Sequence, residues 1–195
     1  MTDLVDLGPA AARLTTLLDN VPDDLLDAPT PADIPVAGLL AHLVMLTEAF
    51  RVAATKEGDL GPPPDAPPAL DPQWRTLLPQ RLDALVAAWR EPGAQEGETT
   101  AGGLRLSAAE AAVVALDELV LHGWDLARAT GQPYEPDPRD AGIVLGFTES
   151  FGSPDGTPGL FGPAVAVPDD ASAFDRALGF SGRDPAWRAP APTGG

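Results

Sequence analysis

Histidine is scarce in this chain: two occur in 195 residues, and both fall in apolar stretches. His42 lies in LLAHLVMLTEAF, and His122 lies in VVALDELVLHGWDLA, four residues after Glu118. On a helix, residues four apart project from one face, roughly 5–6 Å apart at Cβ. Glu118 and His122 can therefore grip one cation, with His42 arriving from a second helix. Imidazole nitrogens and carboxylate oxygens are ligands for zinc and related divalent metals. Two imidazoles and one carboxylate leave a coordination position open, which suits a catalytic metal better than a structural one.

Each residue also has a plainer reading. Glu118 can point outward and pair with His122 at the surface. A lone histidine on an apolar face, such as His42, is often a core residue bonded to a carbonyl. Against this, the face carrying Glu118 and His122 also carries Ala111, Ala115 and Leu126, small or apolar residues that leave room for a site. Asp117 points about 100° away from Glu118 and is a poor partner ligand. Asp125, three residues after His122, is the candidate catalytic residue: it can orient His122 from behind or serve as a general base. Its plainer role is a solvated pair with Arg128. Gly123 suits a close helix approach or ligand access, and Trp124 suits the core or a pocket wall.

Other signatures are missing. There is no HExxH, no G-x-G-x-x-G or P-loop before a helix, and no G-x-S-x-G. The Asp-rich connectors lack calcium-loop spacing. With no cysteine in the chain, disulfides, thiolate metal sites and a cysteine nucleophile are out.

The elements that must position these residues read as helices. Leu4, Leu7, Ala11, Leu14 and Leu18 predict a first helix over about 4–18. A second runs over about 36–56, with Leu39, Leu40, Leu43, Leu46, Phe50 and Ala53 as its buried stripe and His42 beside it. Gly58 is its expected left-handed cap. A third covers about 72–89, and a fourth runs from Ala108 to about Thr130. Ser107 and Glu110 form a capping box at the start of the fourth. A fifth covers about 138–150. GDLGPPPDAPPALDP, with six prolines, reads as a stiff extended connector, and residues 93–103 read as a loop. The tail, 151–195, is rich in Gly and Pro, with one short helix expected at 171–178. The expected division is a helical bundle over 1–150 and an extension over 151–195 packed on it. The fold class is all-α, a four-helix bundle with long connectors.

The 44% hydrophobic content is enough for a core. The net charge of −17, from 29 acidic and 12 basic residues, repels nucleic-acid phosphates and anionic lipids. No basic and apolar leader opens the chain, and no unbroken run of about 18 apolar residues occurs. The expected location is the cytoplasm, with no nucleic-acid or membrane partner. Pairing of two copies through exposed helix faces is compatible with this pattern.

LLAHLVMLTEAF, followed by LDELVLHGWDLARATGQPYEPDP, resembles the DinB-like superfamily of metal-binding four-helix bundles. Within it the chain is most similar to the branch typified by mycothiol-dependent maleylpyruvate isomerase. ELVLHGWDLA is the specific part. The WRTLLPQRLDALVAAWREPGA stretch, the GETTAGG turn and the FGPAVAVPDDASAFDRALGFSGRDPAW tail add to it. The resemblance implies a three-ligand metal site at His42, Glu118 and His122. Other DinB-like branches have histidine at the position of Glu118, so the glutamate favours the isomerase-like branch. It also implies a divalent metal, zinc first, and a low-molecular-weight thiol such as mycothiol. The expected activity is that of a metal-dependent thiol transferase or isomerase acting on a small electrophile. The alternatives are a hydrolase using metal-bound water and a non-catalytic bundle that binds a small ligand.

Overall fold

A computed structural model describes residues 4–62, 64 and 68–190. Part of the proline-rich connector, residues 63 and 65–67, lies outside the described residues. Among the described residues are six α-helices and one two-stranded hairpin: α1 (Gly8–Leu18), α2 (Val36–Thr55), α3 (Trp74–Arg90), β1 (Glu98–Ala101), β2 (Leu104–Ser107), α4 (Ala108–Thr130), α5 (Pro138–Phe151) and α6 (Ala173–Phe180). The chain is mostly helical, as expected.

The helices α1 to α4 close a ring of packed pairs. α2 lies against α3 and α4, and α1 lies against the same two. Leu14, Leu39, Leu43, Leu78, Leu82, Leu85, Leu116 and Leu119 are fully shielded at the shared centre. Burying each such side chain contributes roughly 1.5–3 kcal/mol. α5 joins the outside of α4, and α6 packs on α5.

α4 carries two of the three candidate ligands, and its ends are well specified. Ser107 Oγ accepts from the Glu110 backbone N–H at 3.1 Å, and Glu110 accepts from the Ser107 N–H at 3.0 Å. These two bonds satisfy orphan donors of the first turn. Gly131, with φ +70°, ends the helix in the left-handed conformation.

Several boundaries differ from the expectation. α1 begins at Gly8 rather than near Leu4. Pro9 sits in its first turn, where its missing N–H costs nothing. A helix begun at Leu4 would have set the Pro9 ring against a carbonyl in the preceding turn. The cap of α2 is Lys56 at φ +57°, not Gly58. Its ammonium group bonds the carbonyl oxygens of Gly93 and Glu96 at 2.9 and 2.8 Å, which anchors the strained residue. Residues 98–107 form a hairpin where a loop was expected through 103. Gly102 and Gly103, both at positive φ, make the turn, with Ala101 opposite Leu104. Thr99 Oγ1 donates to the Ala53 carbonyl at 2.6 Å and ties the hairpin to α2. The tail helix starts two residues later than expected, because Ser172 caps it by accepting from Asp175 N–H.

α2 is also long and apolar enough to cross a membrane by length and composition, with mean hydropathy 1.5. It holds no unbroken apolar run of that length, because His42, Glu48 and Arg51 interrupt the stretch. In the fold it is a core helix, fully shielded at Leu39, Leu40 and Leu43.

Asp140, in the first turn of α5, is buried, and its Oδ2 has no hydrogen-bond partner. Burial first, and then the charge of Asp137, push its carboxyl up to about 6, against the pull of Arg13. The native state therefore keeps this proton to higher pH than the unfolded chain does. The contribution of Asp140 to stability therefore falls as pH rises from about 4 to about 6, and the loss persists above that. Asp140→Asn should flatten this part of the stability–pH curve. It should add about 1–3 kcal/mol at pH 7, from a shift of about two units, as urea unfolding at several pH values will show.

Candidate metal centre

The site forms where α2 crosses α4. His42 sits in the second turn of α2, beside the buried stripe, and Glu118 and His122 sit one turn apart on α4. Both imidazoles aim Nε2 at the same atom. His122 Nε2 lies 2.9 Å from Glu118 Oε2, and His42 Nε2 lies 3.4 Å from it. The rings meet edge to face, with centroids 5.0 Å apart and planes at 83°. One ligand atom from each residue falls within 4.8 Å of the other two. Among the described residues, this is the one group of three or more such side chains so arranged. The side chains of His42, Glu118 and His122 keep 26%, 25% and 12% of their exposure, so the centre is partly open to solvent.

Behind His122 the polar chain continues inward. Its Nδ1 lies 3.0 Å from Asp125 Oδ2, and the Asp125 side chain is wholly buried. Asp125 is held by Arg183, from the segment after α6. Arg183 Nε donates to Oδ1 at 3.0 Å and Nη2 donates to Oδ2 at 2.8 Å, a two-pronged contact. Burial works against ionised Asp125, but the Arg183 charge and the bonds from His122 and Arg183 outweigh it and hold its carboxyl below the usual range.

The same competition shapes the other two groups. Burial raises the Glu118 carboxyl, yet bonds to His122 and His42 pull it well below the ordinary value. Burial lowers the His122 imidazole, but its bonds to Asp125 and Glu118 lift it to about 9. The physical cause is that His122 lies between two carboxylates. With Nδ1–H given to Asp125, Nε2 of a neutral ring is a bare lone pair facing a carboxylate oxygen. Two acceptors cannot sit 2.9 Å apart without a cation between or beside them. A proton satisfies that requirement, and so does a metal ion. A tetrahedral zinc with bonds of about 2.0–2.2 Å keeps its ligand atoms about 3.4 Å apart, close to the 2.9 and 3.4 Å found here. The donor set fits a divalent cation.

All three predicted ligands thus converge, and Asp125 lies directly behind one of them. The solvated pairing of Asp125 with Arg128 does not occur. Arg128 Nη2 instead donates to the Pro185 carbonyl at 3.3 Å, and its guanidinium lies 5.3 Å from the Trp124 ring centre. Asp117 stands apart from the cluster, as its angle on the helix required. It is buried, and burial, followed by the charge of Glu118, pushes its carboxyl well up. Ala111, Ala115 and Leu126 are fully shielded members of the core cluster, and Trp124 is nearly so. Arg183 escaped the sequence reading. It is 58 residues from Asp125, in a tail that adds to the family resemblance but carries no local signal for a site residue. No spacing rule links the two.

A family model described as the mycothiol maleylpyruvate isomerase N-terminal domain matches residues 7–127. The chain belongs to that family, a member of the DinB-like superfamily. The match takes in His42, Glu118, His122 and Asp125 and stops short of Arg183. No curated protein matches the chain.

Gly123, next to His122, admits a close neighbour rather than a ligand. A Cβ there would come 2.9 Å from the Tyr134 ring. In an open helix Gly→Ala gains up to about 1 kcal/mol, but overpacking costs about 1–3 kcal/mol. Gly123→Ala should therefore show no gain in stability, and a net loss of about 1 kcal/mol in denaturant melts.

Proposed function

We infer that His42, Glu118 and His122 hold one divalent cation, zinc in the first instance, within a DinB-like four-helix bundle. The protein is then a metal-dependent thiol transferase or isomerase acting on a small electrophile with a low-molecular-weight thiol of the mycothiol type. One observation carries the metal centre: two imidazole Nε2 atoms from different helices aim at a single carboxylate oxygen. Family membership supports the thiol, through the name of the matching domain.

A divalent cation held there supplies Lewis acidity and favours the deprotonated form of a thiol or water in its open position. The chain's own residues set the conditions. Glu118 contributes one negative charge and the two histidines none, so a divalent centre keeps a net positive charge toward an anionic sulfur. Asp125 takes the Nδ1–H of His122, which keeps Nε2 turned to the site and raises its basicity. Asp125 is fully engaged by His122 and Arg183. It therefore serves as the orienting group rather than as a general base.

Elemental analysis of the purified protein should find close to one zinc or other divalent ion per chain. His122→Ala should remove it while far-UV circular dichroism stays unchanged. Absence of stoichiometric metal from the wild type after loading with zinc, nickel, cobalt or manganese sinks the metal centre. Separately, turnover of a small electrophile such as a maleyl compound should require added thiol and should stop when the metal is chelated. Equal turnover without any thiol would point instead to hydrolysis by metal-activated water.

A further inference from the structure

The segment that follows α6 ends in a defined turn. The Arg183 N–H bonds the Leu178 carbonyl at 2.8 Å and the Gly182 N–H bonds the Gly179 carbonyl at 3.1 Å. This is the paired-bond helix ending in which the residue at positive φ is usually glycine. Gly182 has φ +83°, and a Cβ on it would come 2.9 Å from the Gly162 backbone. The turn is thus clamped to the extended segment that runs ahead of α6. Val165 N–H bonds the Gly179 carbonyl at 2.9 Å and adds a second tie. Arg183 leaves this turn with little freedom. Its side chain is 11% exposed and reaches the fully buried Asp125 carboxylate. Nearby, Arg128 of α4 bonds the Pro185 carbonyl and docks the same segment.

Arg183 makes no hydrogen bond to His42 or Glu118, although its charge also acts on Glu118 and Asp117 through space. Its guanidinium is spent on Asp125 and on the Ser181 carbonyl at 3.5 Å. Asp125 in turn has one face on Arg183 and one on His122. Guanidinium, carboxylate and imidazole therefore form one line, from the C-terminal segment to the metal-facing nitrogen. Without Arg183, Asp125 would be a buried carboxylate with no counter-charge but His122, free to turn away or to be neutralised.

We propose that Arg183 is a positioning residue for the metal centre, acting chiefly through Asp125 to fix the orientation of the His122 ring. The C-terminal segment is in that sense part of the site, although it lies beyond residues 7–127, which the family model matches. The affinity readout rests on the metal-centre reading above. A second readout, taken on metal-free protein, does not.

The test compares wild type, Arg183→Met, Asp125→Asn and the double variant, each as the full chain stripped of metal and titrated with zinc. Arg183→Met should weaken zinc binding about 10–100-fold, the usual cost of losing a group behind a ligating histidine. In the Asp125→Asn background, Arg183→Met should add only a small further change, well short of its effect in the wild type. Proton NMR of the metal-free wild type should show a slowly exchanging, downfield Nδ1 proton on His122, and Arg183→Met should lose it. If Arg183→Met fails to fold, Arg183→Lys keeps the charge but not the fork, and should show a partial loss on both readouts. Unchanged zinc affinity with a retained Nδ1 proton overturns the proposal, and so does an equal further loss in the Asp125→Asn background. Should the wild type bind no zinc, the metal reading fails, and the Nδ1 proton still decides the role of Arg183.

Discussion

A single carboxylate oxygen, Oε2 of Glu118, takes contacts from two imidazoles at the crossing of α2 and α4. Most of that crossing is built from fully shielded leucines and alanines. An ionised carboxylate set among them without partners would cost several kcal/mol. The contact is tolerable only because both histidines face it and a proton or metal supplies positive charge. It also constrains the scaffold. Sliding α2 along α4 by one turn, about 5.4 Å, would separate His42 from Glu118 and strand both. The polar contact thus selects one register of two otherwise greasy helices.

From that oxygen, charge alternates inward: Glu118, the His122 ring, Asp125, Arg183. Exposure falls from a quarter of the Glu118 side chain to none of Asp125, which Arg183 covers from the far side with 11% of its own side chain exposed. Each member has its hydrogen-bonding capacity directed at the next, so the ring is held from both sides before any ligand arrives. Rigid helices supply the first three members, and a tightly capped turn supplies the fourth. Such support is what separates a precise site from a merely present one. Asp117 shows the contrast. It is equally buried, one residue from Glu118, but one of its oxygens has no partner and it stands outside the line.

The parts of this arrangement were not equally legible. Glu118, His122 and Asp125 share one helix, whose capping box and apolar period are local signals. Their spacing placed all three on neighbouring faces. The hairpin was missed although its Gly102–Gly103 turn is a known hairpin signal, because its strands are only four residues long and too polar to stand out. The cap of α2 was misplaced because Lys56 adopts a conformation its type disfavours. Bonds to carbonyls 37 and 40 residues away hold it there.

Residue types and short-range spacing alone determined that two histidines and a glutamate lie on apolar helices, with an aspartate behind one of them. That much follows from helical geometry, which repeats every few residues regardless of context. Only the tertiary structure decided that His42 meets Glu118 across 76 residues, and that Arg183 reaches Asp125 across 58. Those meetings depend on how helices cross and where a connector turns. They are set by the packing of whole side-chain surfaces, which no local period encodes.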